Sequence, residues 1–201
     1  GMVLVAISLF TMTSIAAALY YIVHSTLAAA ALFLIVDLVR TSRADLRLTA
    51  QPPISGAALT AGVFFAAAVA MPCLPPLSGF VGKLLVLNAA FETPDVVWIW
   101  AIILTSSLIS IVGFSRAGSV VFWKAQSQLP EEDEPQLPAP TALSYVAVGG
   151  LLSLLVVYTA FAGPAYNYMA ATSAQLFAPQ PYIDIVLDTP GKLSTPTKEE
   201  H

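Results

Sequence analysis

From Ile15 to Arg40 the chain runs through 26 residues without a glycine or a proline, most of them apolar: IAAALYYIVHSTLAAAALFLIVDLVR. As a helix rising about 1.5 Å per residue, this stretch is about 39 Å long, enough to cross a bilayer with some tilt. No other feature narrows the possible folds as much. A water-soluble domain has little room to bury such a helix on every side, whereas lipid accepts its whole circumference. The composition is of the same kind: of 201 residues, 57% are hydrophobic and 10% charged, where ordinary soluble domains carry about 25% charged residues. The expected fold class is all-α, a polytopic bundle of transmembrane helices, because backbone groups in lipid must satisfy one another.

Four spans are expected, over about 14–40, 54–91, 96–123 and 141–163, making a membrane region of residues 14–163. Ser14 reads as the N-cap of the first span. Residues 1–10 (GMVLVAISLF) are apolar but shorter than the roughly 20 residues a span needs. They read as the end of a truncated helix, so the chain is expected to be the C-terminal part of a longer protein. No basic region ahead of a small-residue cleavage site marks a signal peptide. The acidic, proline-rich run 125–140 reads as a solvated loop. Beyond Pro164, the stretch YNYMAATSAQLF suggests an amphipathic helix at the interface, and TPGKLSTPTKEEH a disordered tail to residue 201. Arg40, Arg43 and Arg47 place the first loop in the cytoplasm; Lys124 falls on the same side by parity, and the C-terminal tail on the external side. Trp98, Trp100 and Trp123 fit interfacial belts.

Several functions are excluded. The net charge of −4 says little, but no basic patch is dense enough for nucleic acid. The single cysteine, Cys73, permits no intrachain disulfide, and two histidines, His24 and His201, give no zinc spacing. No metal site is expected. There is no glycine-rich phosphate loop, no Ser/His/Asp set and no pair of carboxylates suited to a cleft, so no enzyme signature stands out.

One residue contradicts its surroundings. Lys83 sits inside an apolar run, SGFVGKLLVLN, where a mid-membrane lysine costs roughly 2.5–3.5 kcal/mol. Such a residue normally faces protein or a watery path, and burial disfavours its charged form. That suits a group which takes up and releases a proton near neutral pH; the alternatives are a side chain extended to the interface or a structural ion pair. Just before it stands MPCLPPLSGF. Pro72, Pro75 and Pro76 have no N–H to give, so the carbonyls of Ala68, Met71 and Pro72 lose their helical partners. With Ser78, Gly79 and Gly82 to let the backbone turn, the second span is expected to be discontinuous, broken near 72–80. Irregular backbone at membrane depth is tolerated beside protein or water, and broken helices build ion sites in transporters.

His24, near the middle of the first span, is a second candidate for proton relay; the alternative is a neutral core histidine. Tyr20 and Tyr21 lie one turn away, and Ser25 and Thr26 add hydroxyls suited to holding water. Asp37 and Arg40, at spacing i, i+3, pair with each other or face headgroups. Arg116 reads as an interface anchor or a group at the mouth of an ion path. Ser106, Ser107 and Ser110 form a polar stripe that reads as helix packing rather than conduction.

The stretches ALYYIVHSTLAAAALFL and MPCLPPLSGFVGKLLVL resemble the C-terminal part of the D subunits of the multisubunit Na+/H+ antiporters of bacteria (Mrp/Mnh/Pha type). These are similar to the antiporter-like subunits of respiratory complex I. PPLSGFVGK is the most specific piece; FSRAGSVVFW and YIDIVL extend the resemblance to about residue 190. It implies about fourteen transmembrane helices with two inverted five-helix repeats, of which this chain would hold the last four helices and the end of a fifth. It implies that Lys83 is the terminal proton-path lysine in the broken helix and His24 a relay residue of the central axis. Partners would be other membrane subunits, with protons and a monovalent cation, Na+ above all, as the cargo. The location would be the bacterial inner membrane. Quinone and redox centres in this family belong to other subunits, so no cofactor is expected. One departure is plain: where many relatives have a lysine, this sequence has Ala28, Ala29 and Ala30.

Three readings follow: a proton-translocating subunit of a cation/proton antiporter, an antiporter-like subunit of NADH-quinone oxidoreductase or a membrane hydrogenase, and a non-conducting structural subunit. The acidic loop and the HSTLAAAALFL segment favour the first.

Overall fold

The computed structural model describes residues 1–43, 48–50, 52, 56–127 and 140–188. Arg47, most of the acidic loop and the expected disordered tail lie outside the described residues. The described residues form eight α-helices and no strand: α1 Met2–Ser8, α2 Met12–Arg43, α3 Ala57–Ala70, α4 Ser78–Ala89, α5 Val96–Gly118, α6 Ala142–Ala160, α7 Ala162–Leu176 and α8 Gln180–Asp188. Three stretches are long and apolar enough to cross a membrane: α2, α5 with the five-residue π-helical turn Ser119–Trp123 that prolongs it, and α6. The remaining expected span is split into two halves, α3 and α4. The architecture is the all-α membrane bundle that the composition demands.

Helix α2 is its spine. Thr11 caps it, not Ser14. The Thr11 hydroxyl accepts from the Ser14 N–H at 3.1 Å, and the Ser14 hydroxyl accepts from the Thr11 N–H at 3.0 Å. This is a reciprocal capping arrangement that satisfies two N–H groups at once, and it starts the helix three residues earlier than a Ser14 cap would. Along one side of α2 the split span runs antiparallel. Phe64 and Ala67 pack near Ile35 and Leu38, Ala70 meets Ala28, Gly79 lies under His24, and Val86 and Leu87 meet Ala17 and Ala18.

Along another side α6 and α7 do the same. Val148 joins the Ile35 and Leu38 cluster and Leu155 meets Ala28. The Tyr158 hydroxyl donates to the Tyr20 carbonyl at 3.0 Å, the Ser173 hydroxyl donates to the Met12 carbonyl at 2.7 Å, and the Phe177 ring lies tilted against Phe10 with centroids 5.5 Å apart. The segment expected at the interface therefore forms a helix, α7, that continues past Phe161 to the start of α2. Ala28 is buried against Ala70 and Leu155. It fills a close helix crossing with a methyl group.

Most of the remaining apolar surface faces outward. In its most apolar stretch, 28% of α2 is buried, against 6% in α5 and 11% in α6. Val97, Trp98, Ile102, Leu108 and Ile109 of α5 all stand exposed, as expected of helices that meet lipid or other membrane protein.

Candidate functional site

The prolines set the geometry. Helix α3 ends at Ala70 and α4 begins at Ser78, with residues 71–77 between them. In a regular helix the Pro72 carbonyl would accept from the N–H of residue 76, but Pro76 has none. Part of the interval is tied locally: the Cys73 N–H donates to the Ala70 carbonyl at 3.0 Å and the Leu74 N–H to the Val69 carbonyl at 3.1 Å. Cys73 adopts a left-handed backbone, φ 62°, which turns the chain, and the Pro75–Pro76 bond is cis. The break lies level with His24, twelve residues into α2, or about 18 Å along it. It is therefore well inside the bundle.

Lys83, on the second turn of α4, reaches back to this break. It is 8% exposed. Its ammonium donates to the freed Pro72 carbonyl and, at 2.7 Å, to the Ser107 hydroxyl on α5. Both partners are neutral oxygens, and no carboxylate among the described residues pairs with it. The end of α3 also offers the negative pole of a helix, which favours a cation.

His24 meets the same break from α2. It is 1% exposed, and its Nδ1 lies 2.9 Å from the Ser78 hydroxyl at the start of α4. The imidazole also engages the backbone of Ala70 at the end of α3. Tyr21 adds a hydroxyl 3.1 Å from the Cys73 sulfur. Lysine, histidine and tyrosine thus converge on one seven-residue interruption from two helices.

The glycines do other work than expected. Gly79 and Gly82 lie within α4 and turn nothing. A Cβ on Gly79 would collide with the His24 imidazole and approach Cys73 Sγ at 3.0 Å. One on Gly82 would stand 2.9 Å from the Tyr21 ring and 3.3 Å from the Tyr20 ring. They permit close approach of α2 to α4, which is glycine's other use.

Not every sequence candidate joins the site. Tyr20 is buried, stacked on Tyr158 at 4.8 Å, and its hydroxyl has no partner among the described residues. Ser25 and Thr26 both donate to the Ile22 carbonyl of their own helix, away from His24. Asp37 and Arg40 are exposed, with no ion pair between them among the described residues, and Arg116 is exposed in the last turn of α5. Arg43 turns inward to donate to the Thr49 carbonyl at 2.6 Å. Trp98 and Trp123 stand exposed, but Trp100 donates its indole N–H to the Leu87 carbonyl at 3.0 Å and serves as a cross-helix tie. Ser107 is the residue that sequence reading assigned to packing and the structure brings to Lys83. Among the described residues no group of three or more potential metal-ligand side chains occurs.

Comparison with known proteins gives a consistent picture. Residues 1–110 match the family described as NADH:quinone oxidoreductase/Mrp antiporter, TM. The chain is 31% identical over 195 residues to the D subunit of a Na+/H+ antiporter of Bacillus subtilis (strain 168), covering 93% of this chain and 37% of that protein. It is 29% identical over 221 residues to the D subunit of a probable K+/H+ antiporter of Rhizobium meliloti (strain 1021), covering 94% and 40%. The D subunit of a Na+/H+ antiporter of Alkalihalophilus pseudofirmus is 28% identical over 194 residues, covering 93% and 37%. The chain spans about two fifths of the length of the curated relatives it matches.

Proposed function

We infer the function from one premise: the chain belongs to the NADH:quinone oxidoreductase/Mrp antiporter transmembrane family. It serves as part of a proton-translocating membrane subunit of a monovalent cation/proton antiporter. Lys83 takes up and releases the proton, and His24 relays it across the broken helix. Residues 14–163 form the conducting membrane region, with other membrane subunits covering part of its apolar exterior. The relatives' names include both Na+ and K+, and Na+ is the cation proposed here.

The observation that carries this reading is the setting of Lys83. It lies deep in the bundle, bound only to neutral oxygens. A carboxylate partner would hold the ammonium charged, whereas neutral acceptors let the proton leave. The last carbonyls of α3 and the Pro72 oxygen stabilise the charge when it is present. Broken helices supply ion-binding backbone in this way at the midplane of transporters.

The test uses the full-length subunit in its assembled complex, in everted membrane vesicles with a pH-sensitive dye. Lys83→Ala should abolish cation-driven proton movement at an unchanged amount of complex. Lys83→Arg should be as inactive, because a guanidinium keeps the charge but does not give up its proton. Normal transport by either variant would overturn the role of Lys83. The orientation, with Arg40 and Arg43 cytoplasmic, the loop at Thr93 external and the complex in the bacterial inner membrane, is checked by labelling cysteines placed at those positions from either side.

The family description also names NADH:quinone oxidoreductase, which favours a second reading: the same helices in a redox-driven proton pump. Neighbouring genes for quinone reductase subunits rather than antiporter subunits would select it.

A further inference from the structure

Lys83 is held by two oxygens that have no proton to give it. The Pro72 carbonyl carries none, and the Ser107 hydroxyl donates its hydrogen to the Ile103 carbonyl 2.8 Å away. An ammonium has three N–H bonds, and the neutral amine has two and a lone pair. Two acceptors therefore match the bonds that both states share. Neither oxygen has to let go when the proton leaves, and neither moves when it returns.

Ser107 reaches Lys83 because of where α5 touches α4. Trp100, Ile103 and Ser107 lie three and four residues apart, on one face of the helix. Trp100 ties to Leu87, one turn beyond Lys83, and Ile103 is buried against Val86 and Leu87. Two turns of α5 are thereby set in register with α4, and the third contact of that face is the serine. Ser106 and Ser110 donate to the Ile103 and Ser106 carbonyls of their own helix and do not reach α4.

We propose that Ser107 is a positioning residue for proton transfer at Lys83. With the Pro72 carbonyl it fixes the two constant N–H bonds, so that the exchanged proton always occupies the third position on Nζ. The oxygens exclude exchange on the α5 side and direct it away from that helix. This inference rests on the reading of Lys83 as the proton carrier.

The experiment compares variants of the full subunit in the assembled complex, each corrected for the amount of complex present. Ser107→Ala should lower the maximal transport rate on the order of tenfold, the loss of one hydrogen bond to a charged group, with the KM for the cation unchanged. Ser107→Thr should restore the rate, since a threonine hydroxyl bonds the same carbonyl one turn back. Ser107→Cys, close in size but a poor acceptor, should fall with Ser107→Ala, and it carries the test if the alanine variant fails to assemble. Ser106→Ala should leave transport intact. If Ser107→Thr is no better than Ser107→Ala, the serine acts by its volume and the proposal is overturned. Full activity of Ser107→Ala beside an inactive Lys83→Ala overturns the role of Ser107 and spares that of Lys83. Full activity of Lys83→Ala removes both.

Discussion

Helix α4 is packed against α2 through glycines and tied to α5 through two hydrogen bonds. On the α2 side, Gly79 and Gly82 bring the backbones so close that imidazole and tyrosine rings rest on them, and the seam is completed by small buried residues, Ala17 and Ala18. On the α5 side, Trp100 reaches Leu87 and Ser107 receives Lys83, while much of α5 looks outward. Tight steric packing resists displacement because interiors have little slack. A hydrogen bond is worth about 1 kcal/mol net between neutral groups and about 1.5–3 kcal/mol to a charged one, and either is easily remade. The α2 seam therefore fixes where the site is, and the α5 seam fixes how Lys83 points within it.

The contrast can be broken by substitution. The largest effect is expected from Gly79→Ala, whose methyl group would meet the His24 ring. Overpacking of this kind costs roughly 1–3 kcal/mol, and here it also drives the imidazole from Ser78, so transport should be lost at unchanged complex levels. Gly82→Ala meets two tyrosine rings at 2.9 and 3.3 Å, a milder clash than that at Gly79, and should cost less; equal losses would mean that His24 has no special place. Trp100→Phe comes next. It removes the indole donor to Leu87 and should lower the stability of the complex by about 1 kcal/mol, read as a lower melting temperature in detergent. A fall as large as that of Gly79→Ala would show that α5 is held as firmly as α2. The smallest effect belongs to the double variant Ser25→Ala with Thr26→Ala. Both hydroxyls are spent on Ile22, so transport should be unchanged and stability should shift within about 0.5 kcal/mol; loss of transport would place them in the relay after all.

The sequence revealed the parts of the site that break a rule. A lysine within an apolar run and three prolines in five residues are costly unless something uses them. Residues that obey several rules at once stayed ambiguous. A glycine among prolines signals a turn or a close approach equally well, and only the tertiary contact with His24 decides for Gly79. In TMTS both threonines and the serine are able to cap, and the reciprocal pair Thr11 and Ser14 was not separable from a simple cap. Ser107 was hidden among three serines of similar spacing. The distinguishing signal was present, in the shared face with Trp100 and Ile103, but it required knowing which face of α5 meets α4. Tyr21 and Cys73 are far apart in sequence, and nothing local foretold their contact.

One ligand of Lys83 is a main-chain oxygen. It belongs to no side chain, carries no charge to titrate and survives exchange of the group attached to residue 72. Its availability is decided four positions further on, where an imino acid withholds the hydrogen that would otherwise claim it. The identity of the site is therefore written partly in a residue that never touches the amine. A comparison of such proteins by their polar side chains alone would overlook half of what holds the proton carrier.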